Sequence, residues 1–389
     1  MMTSAQAFRQ VLTRRIFALL AVSLPLPVAA CSLLESHSST DGCQGGPREI
    51  EWCIAATPEG EGGVDAGDSS DPDSGLPPGT SCPSREDARS QISYVDDVKT
   101  EATVKDGGCC YTVVYTTICE GRPYIVDTFA RTAVTARAVR GGAFTKSYRA
   151  DGLSPCVDSL DPAARAALAA QWTRDALYEH ASVASFARFA MELLAVGAPA
   201  DLVEDAHRAG LDEMRHARLC FTLASAYAGE PVAPGRFPFD GNVEVSSDLA
   251  SVAARAVTEG CIGETLAAAI AAEQLASAVD PAVRAALATI AEDEARHAEL
   301  AWHFVAWAVR AGGHAVCEAV AEAFRASSPS APPVIFAGDL TAHGRLDSAQ
   351  LDAAAARALD EIVRPCARAL LAPSAFERNA HGLELRAST

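Results

Sequence analysis

Two octets constrain this chain more than any other feature. Asp212-Glu213-Met214-Arg215-His216-Ala217-Arg218-Leu219 and Asp293-Glu294-Ala295-Arg296-His297-Ala298-Glu299-Leu300 agree at six of eight positions and stand 81 residues apart. Both lie in Ala-, Leu-, Glu- and Arg-rich sequence with helical periodicity. In a helix, positions three apart share a face, so Glu213 goes with His216 and Glu294 with His297. Apolar residues continue each face: Leu202, Ala206, Ala209, Cys220 and Leu223 on the first, Val283, Leu287, Ile290, Ala301 and Phe304 on the second. A carboxylate on such a stripe requires a compensating partner, because unpaired it is costly to bury or must take up a proton.

The periodicity predicts helices at 161–197, 200–228, 247–278, 281–311, 314–326 and 347–371. Asp161-Pro162 and Asp280-Pro281 each place an N-cap before a proline at the first helical position. Short turns join the first helix to the second and the third to the fourth, and Ala228–Ser247 makes a long crossing between the pairs. Two antiparallel hairpins joined by a crossover form one of the four-helix bundle topologies.

The other helix of each hairpin supplies a further acid. Glu179 lies on a stripe of Trp172, Ala176, Val183, Phe186, Ala190 and Leu193. The 81-residue offset from Glu179 falls on Gly260, with Glu259 one residue before and Glu264 four after. Four residues keep the helical face, which favours Glu264 beside Val257, Cys261, Ala268 and Leu275. Glu259 stays open as the alternative, since Val252, Ala256, Gly263, Leu266 and Ile270 give it an apolar stripe of its own. Four glutamates carry −4 and two divalent cations +4, so a core forbidding when empty becomes neutral when filled. The competing reading is a pair of solvated helices with Asp–Arg and Glu–Arg pairs, His216 and His297 lying at the surface.

One Glu from each of two helices, with Glu-x-x-His from each of the other two, resembles the ligand set of the ferritin-like di-iron carboxylate proteins, and the internal duplication is similar to rubrerythrin. The resemblance covers about residues 165–310. It implies a mainly α chain built on a ferritin-like four-helix bundle and a centre of two iron ions, manganese being the alternative for this carboxylate and imidazole set. It also implies that Glu213 and Glu294 bridge, Glu179 and Glu264 are terminal, and His216 and His297 each cap one metal. The activity implied is an oxidoreductase or ferroxidase acting with O2 or peroxide. The chain has no CxxC, so electrons would come from a separate donor. A metal-binding or non-catalytic scaffold and a di-manganese, catalase-like enzyme are the alternatives.

Outside this region the chain changes character. Arg9, Arg14 and Arg15 precede an apolar run from Ile16 to Ala30, broken by Pro25 and Pro27 and too short for a permanent membrane span. Val28–Cys31 resembles a lipoprotein lipobox and Thr13–Leu19 a twin-arginine signal. Residues 1–30 thus read as a signal peptide, with Cys31 lipidated and the protein exported and lipid-anchored in the bacterial cell envelope. Residues 31–84, including the low-complexity Thr57–Ser84, read as a disordered tether. Residues 85–155 read as a small Cys-containing β module in which Cys109–Phe129 forms a hairpin about Glu120–Pro123. The bundle is expected at 161–326, and 327–389 as an extension with one helix bent at Pro365. Twelve cysteines in an exported chain predict disulfides of undetermined connectivity. A formal charge of −18 disfavours nucleic acid as a partner, since phosphate binding needs excess Lys and Arg.

Overall fold

The computed structural model describes residues 3–23, 146–239, 243–326 and 338–372, and between them the stretches 47–55, 57–58, 80–85, 87–88, 97–105, 108–116, 124–126, 129–133 and 135–137. Cys31, most of the expected tether, the Glu120–Pro123 turn and the residues after 372 lie outside them. The described residues are mainly helical and divide into a larger unit, 1–44 with 119–389, and a smaller one, 45–118.

In the larger unit, α1 spans Ser4–Ser23, α2 Pro162–Ala195 and α3 Ala200–Ala228. A third helical run comprises α4 (Leu249–Ala256), a π-helical segment (Val257–Glu264) and α5 (Thr265–Ser277). The long α6 (Pro281–Ala326) follows, then α7 (Ser348–Ala358), a second π turn (Leu359–Val363) and α8 (Arg364–Leu371). The starts are those the caps dictate. Asp161 Oδ1 accepts from the backbone N–H groups of Ala163 and Ala164, both at 2.9 Å. Asp280 Oδ1 does the same for Ala282 and Val283, at 2.9 and 3.0 Å. The break expected at residues 311–314 is present as a kink between two helices within α6, whereas at Pro365 the helical run continues through the second π turn into α8. Gly313 takes a positive φ of 62° inside α6, and the second π turn absorbs the amide that Pro365 cannot donate.

α2 packs along α3 and the α4–α5 run along α6, and the two hairpins meet through α3 and α6, which carry the octets. The stripes read from sequence are the interior: Trp172, Phe186, Leu202, Leu223, Val283 and Phe304 are all buried. α1, α7 and α8 share that core. Leu12, Ile16 and Leu20 of α1 join Ile362, Cys366 and Leu370 in one cluster with the α6 residues Ala301 and Phe304. The segment expected to be a leader is therefore a helix seated on the body, and the C-terminal helix is part of the interior. Among the described residues no helix is long and apolar enough to cross a membrane.

The smaller unit corrects two expectations. Strand β4 (Gly108–Thr116) does not fold back on residues 124–126. It pairs antiparallel with β1 (Pro47–Ala55), β2 (Asp97–Val98) and β3 (Thr103–Lys105). Tyr124–Val126 pairs with Phe129–Arg131 instead. The sheet thus begins at residue 47, inside the stretch expected to be tether. A Cys82–Cys109 disulfide staples the unit. Tyr111, whose hydroxyl donates to the Pro83 carbonyl at 2.6 Å, has its ionisation pushed up to about 12 by burial. In the larger unit Cys317 is disulfide-bonded, and Cys156, Cys220 and Cys366 are thiols.

Candidate metal centre

Glu213 and His216 leave α3 one turn apart on its buried face, and Glu294 and His297 leave α6 in the same way. α2 contributes Glu179, and the C-terminal end of the π-helical segment contributes Glu264. These six side chains form two overlapping quartets, Glu179, Glu213, His216, Glu294 and Glu213, Glu264, Glu294, His297, the ligand atoms of each lying within 4.8 Å of one another. Glu213 and Glu294 belong to both. All six sequence-assigned residues therefore come together, and the reading with His216 and His297 at the surface fails, both being buried.

Glu259 is elsewhere. Its carboxylate accepts from the Arg188 guanidinium at 2.7 Å and from Ser185 Oγ at 3.4 Å, away from the quartets. The π-helical turn accounts for the imperfect offset between the halves. Its i→i+5 pattern turns the chain less per residue than an α-helix does, which shifts the position that faces the cluster, and Glu264 is the acid found there.

The imidazoles are oriented alike. His216 turns Nδ1 inward, 3.3 Å from Glu294 Oε1, 3.5 Å from Glu179 Oε2 and 3.7 Å from Glu213 Oε2. His297 Nδ1 lies 3.1 Å from Glu213 Oε1 and 3.5 Å from Glu294 Oε2. The outward nitrogens face acids from the opposite hairpin: His216 Nε2 lies 3.0 Å from Asp293 Oδ2 and His297 Nε2 3.6 Å from Asp212 Oδ2. Asp212 and Asp293 are held in turn by Arg215 and Arg296. Arg296 donates to Asp212 at 3.0 Å and to Asp293 at 2.5 Å, and Arg215 donates to both aspartates. The octet's Asp and Arg thus lock the outer edge of each imidazole, a role the sequence reading missed by treating them as surface pairs. Their recurrence in both octets was the available signal.

Electrostatics show how strained this cluster is without cations. Burial, reinforced by the charges of Glu213 and Glu294, pushes the Glu179 and Glu264 carboxyls well above the usual range, although His216 opposes this at Glu179 and His297 at Glu264. Burial opposes ionisation of Glu213 and Glu294 as well, but their bonds with His216 and His297 hold both below the ordinary value. Burial also works against imidazolium, yet the surrounding carboxylates raise both histidines well above theirs. Glu213 Oε2, Glu294 Oε2 and both Nδ1 atoms are buried without a hydrogen-bond partner. Buried carboxylate and imidazole atoms that converge without hydrogen-bond partners are what bound cations would satisfy, so the residues fit a two-metal group. Glu179 keeps 17% of its side chain exposed, while Glu264 is buried, so the site is nearest solvent at its Glu179 corner.

Comparison with protein-family models, with curated proteins and with solved structures finds no match.

Proposed function

We propose that the buried cluster is a two-metal carboxylate centre of the ferritin-like type, and that the two hairpins are the corresponding four-helix bundle. The observation that carries this reading is the pair of quartets sharing Glu213 and Glu294. Shared acids between two four-donor sets are what a bridged pair of ions requires, and carboxylate with imidazole suits iron or manganese. Bound there, two such ions would supply two-electron oxidation by O2 or peroxide, of ferrous iron or of reductant from a separate donor.

The chain's own contribution follows from the geometry. Glu213 and Glu294 would help to hold both ions, Glu179 and His216 the first and Glu264 and His297 the second, each histidine through Nδ1. With a cation bound, Asp293 would accept a hydrogen bond from His216 Nε2–H, which favours the tautomer that leaves Nδ1 free for the cation. Burial of five of the six ligands keeps bulk water off the centre, leaving exchange with solvent to the Glu179 corner. We assign the activity as an O2- or peroxide-dependent oxidoreductase or ferroxidase. The lipobox-like Val28–Cys31 supports a lipid-anchored envelope protein.

The test is turnover of ferrous iron and of peroxide by protein loaded with iron or with manganese. Turnover lost in Glu213→Ala at unchanged helicity supports the assignment. Metal binding without turnover of either substrate would reduce the protein to a metal-binding scaffold, and peroxide disproportionation by the manganese form alone would make it catalase-like.

A further inference from the structure

α1 carries the hallmarks of a removable leader, yet it is fitted to the body side chain by side chain. Ala5, Arg9, Leu12, Ile16 and Leu20 recur at three- and four-residue spacing and are all buried. They lie against α5, α6, the second π turn and α8. Two charged contacts lie within the span of the stripe. Arg9 donates to Glu273 at 2.5 Å and to Glu361 at 2.8 Å, its own side chain only 4% exposed. Arg15 pairs with Glu299 at 2.5 Å and Glu292 at 3.2 Å. Thr13 adds a bond from Oγ1 to the Glu361 carbonyl at 3.3 Å.

We propose that α5, α6 and the 359–371 segment form a binding groove for a cationic amphipathic helix, whose occupant is residues 4–23 of this same chain, held reversibly and able to bind after its covalent link to the body is cut. The argument is charge complementarity. Two acidic clamps, Glu273 with Glu361 and Glu292 with Glu299, receive two arginines six residues apart, with Leu12 between them and Ile16 and Leu20 beyond. The clamps set register and sign. Glu292 and Glu299 flank the Glu294–His297 motif on α6, so the occupant covers the outer side of the helix that supplies half of the metal cluster.

The test uses the full chain with a specific protease site placed within residues 24–46. The folded protein is cleaved and passed over a sizing column, and a fluorescently labelled peptide of residues 3–23 is offered to the nicked protein, with binding read by anisotropy. Expected are retention of the N-terminal fragment, its exchange for the labelled peptide, and release by high salt. Arg9→Glu should weaken binding roughly 30-fold or more, as expected for one partner of a desolvated charge pair. Combining it with Glu361→Arg should recover part of the loss. Immediate loss of the fragment from a still-helical body would overturn the proposal. So would unfolding of the body on release, or retention that Arg9→Glu leaves unchanged, since α1 would then be core and not a ligand.

Discussion

Adding two divalent cations to the metal-free protein should expel about four protons. The acids around His216 and His297 favour the protonated imidazoles, and burial favours the protonated forms of Glu179 and Glu264. Each must surrender its proton to offer a lone pair. While all four hold their protons, the apparent affinity for the metal pair should rise by about four decades per pH unit, and acidification should eject the metal. The same groups set the stability of the metal-free form. All four bind protons more tightly folded than unfolded, so stability falls as pH rises, from the ordinary value of 4.5 upward for the two glutamates and from 6.5 upward for the histidines. Glu213, Glu294, Asp212 and Asp293 are shifted down, and the stability they add is lost as pH falls below the ordinary carboxylate range. Metal-free protein should therefore melt highest at about pH 4.5, where the opposing carboxylate contributions cross, and the gap between loaded and metal-free melting temperatures should widen towards pH 8. Calorimetric titration in two buffers of different ionisation enthalpy counts the protons directly. Release of one proton or fewer for the pair of ions would refute the reasoning, because the cluster would then already exist in its deprotonated form.

Further expectations follow from the same contacts. Asp293→Asn removes the anion that orients His216 and should weaken metal binding about 10- to 100-fold by chelator competition, whereas Asp212→Asn, facing His297 across a longer gap of 3.6 Å, should cost less. Glu259→Gln should leave metal stoichiometry unchanged in elemental analysis yet destabilise the fold by about 3 kcal/mol in denaturant titration, because it removes the charge of the carboxylate that accepts from the buried Arg188. Glu264→Gln should do the reverse, halving the metal content at little cost to the metal-free fold. Phe304→Ala, fully buried against Phe189 and Trp307, should cost about 3–5 kcal/mol by the same titration with the metal ratio unaltered.

The helices and the cluster were legible because their signals are local. A three-residue spacing on an apolar stripe places Glu213 with His216 and Glu294 with His297 whatever the rest of the chain does. The choice between Glu259 and Glu264 could be argued from helical angle, but the π turn behind it has no periodic signature in Val257–Glu264. Asp212 and Asp293 were visible in the octets, yet their partners are imidazoles on the opposite hairpin, and such cross-hairpin contacts are written in no single segment. The sheet misled for the same reason. Glu120-Gly121-Arg122-Pro123 is a strong local turn signal, whereas β4 takes its longest partner from residues 47–55, some sixty positions upstream. α1 resembles a leader by composition; only the acids it meets on the body, all more than 250 residues away in sequence, reveal its place there.

The most direct measurement of the central claim is metal content and spectrum together. Protein recovered with its native metals should contain two iron or manganese ions per chain, with an optical or magnetic signature of coupled ions, and both features should vanish in Glu294→Ala. One ion per chain, or none in a fully folded protein at neutral pH, would contradict it.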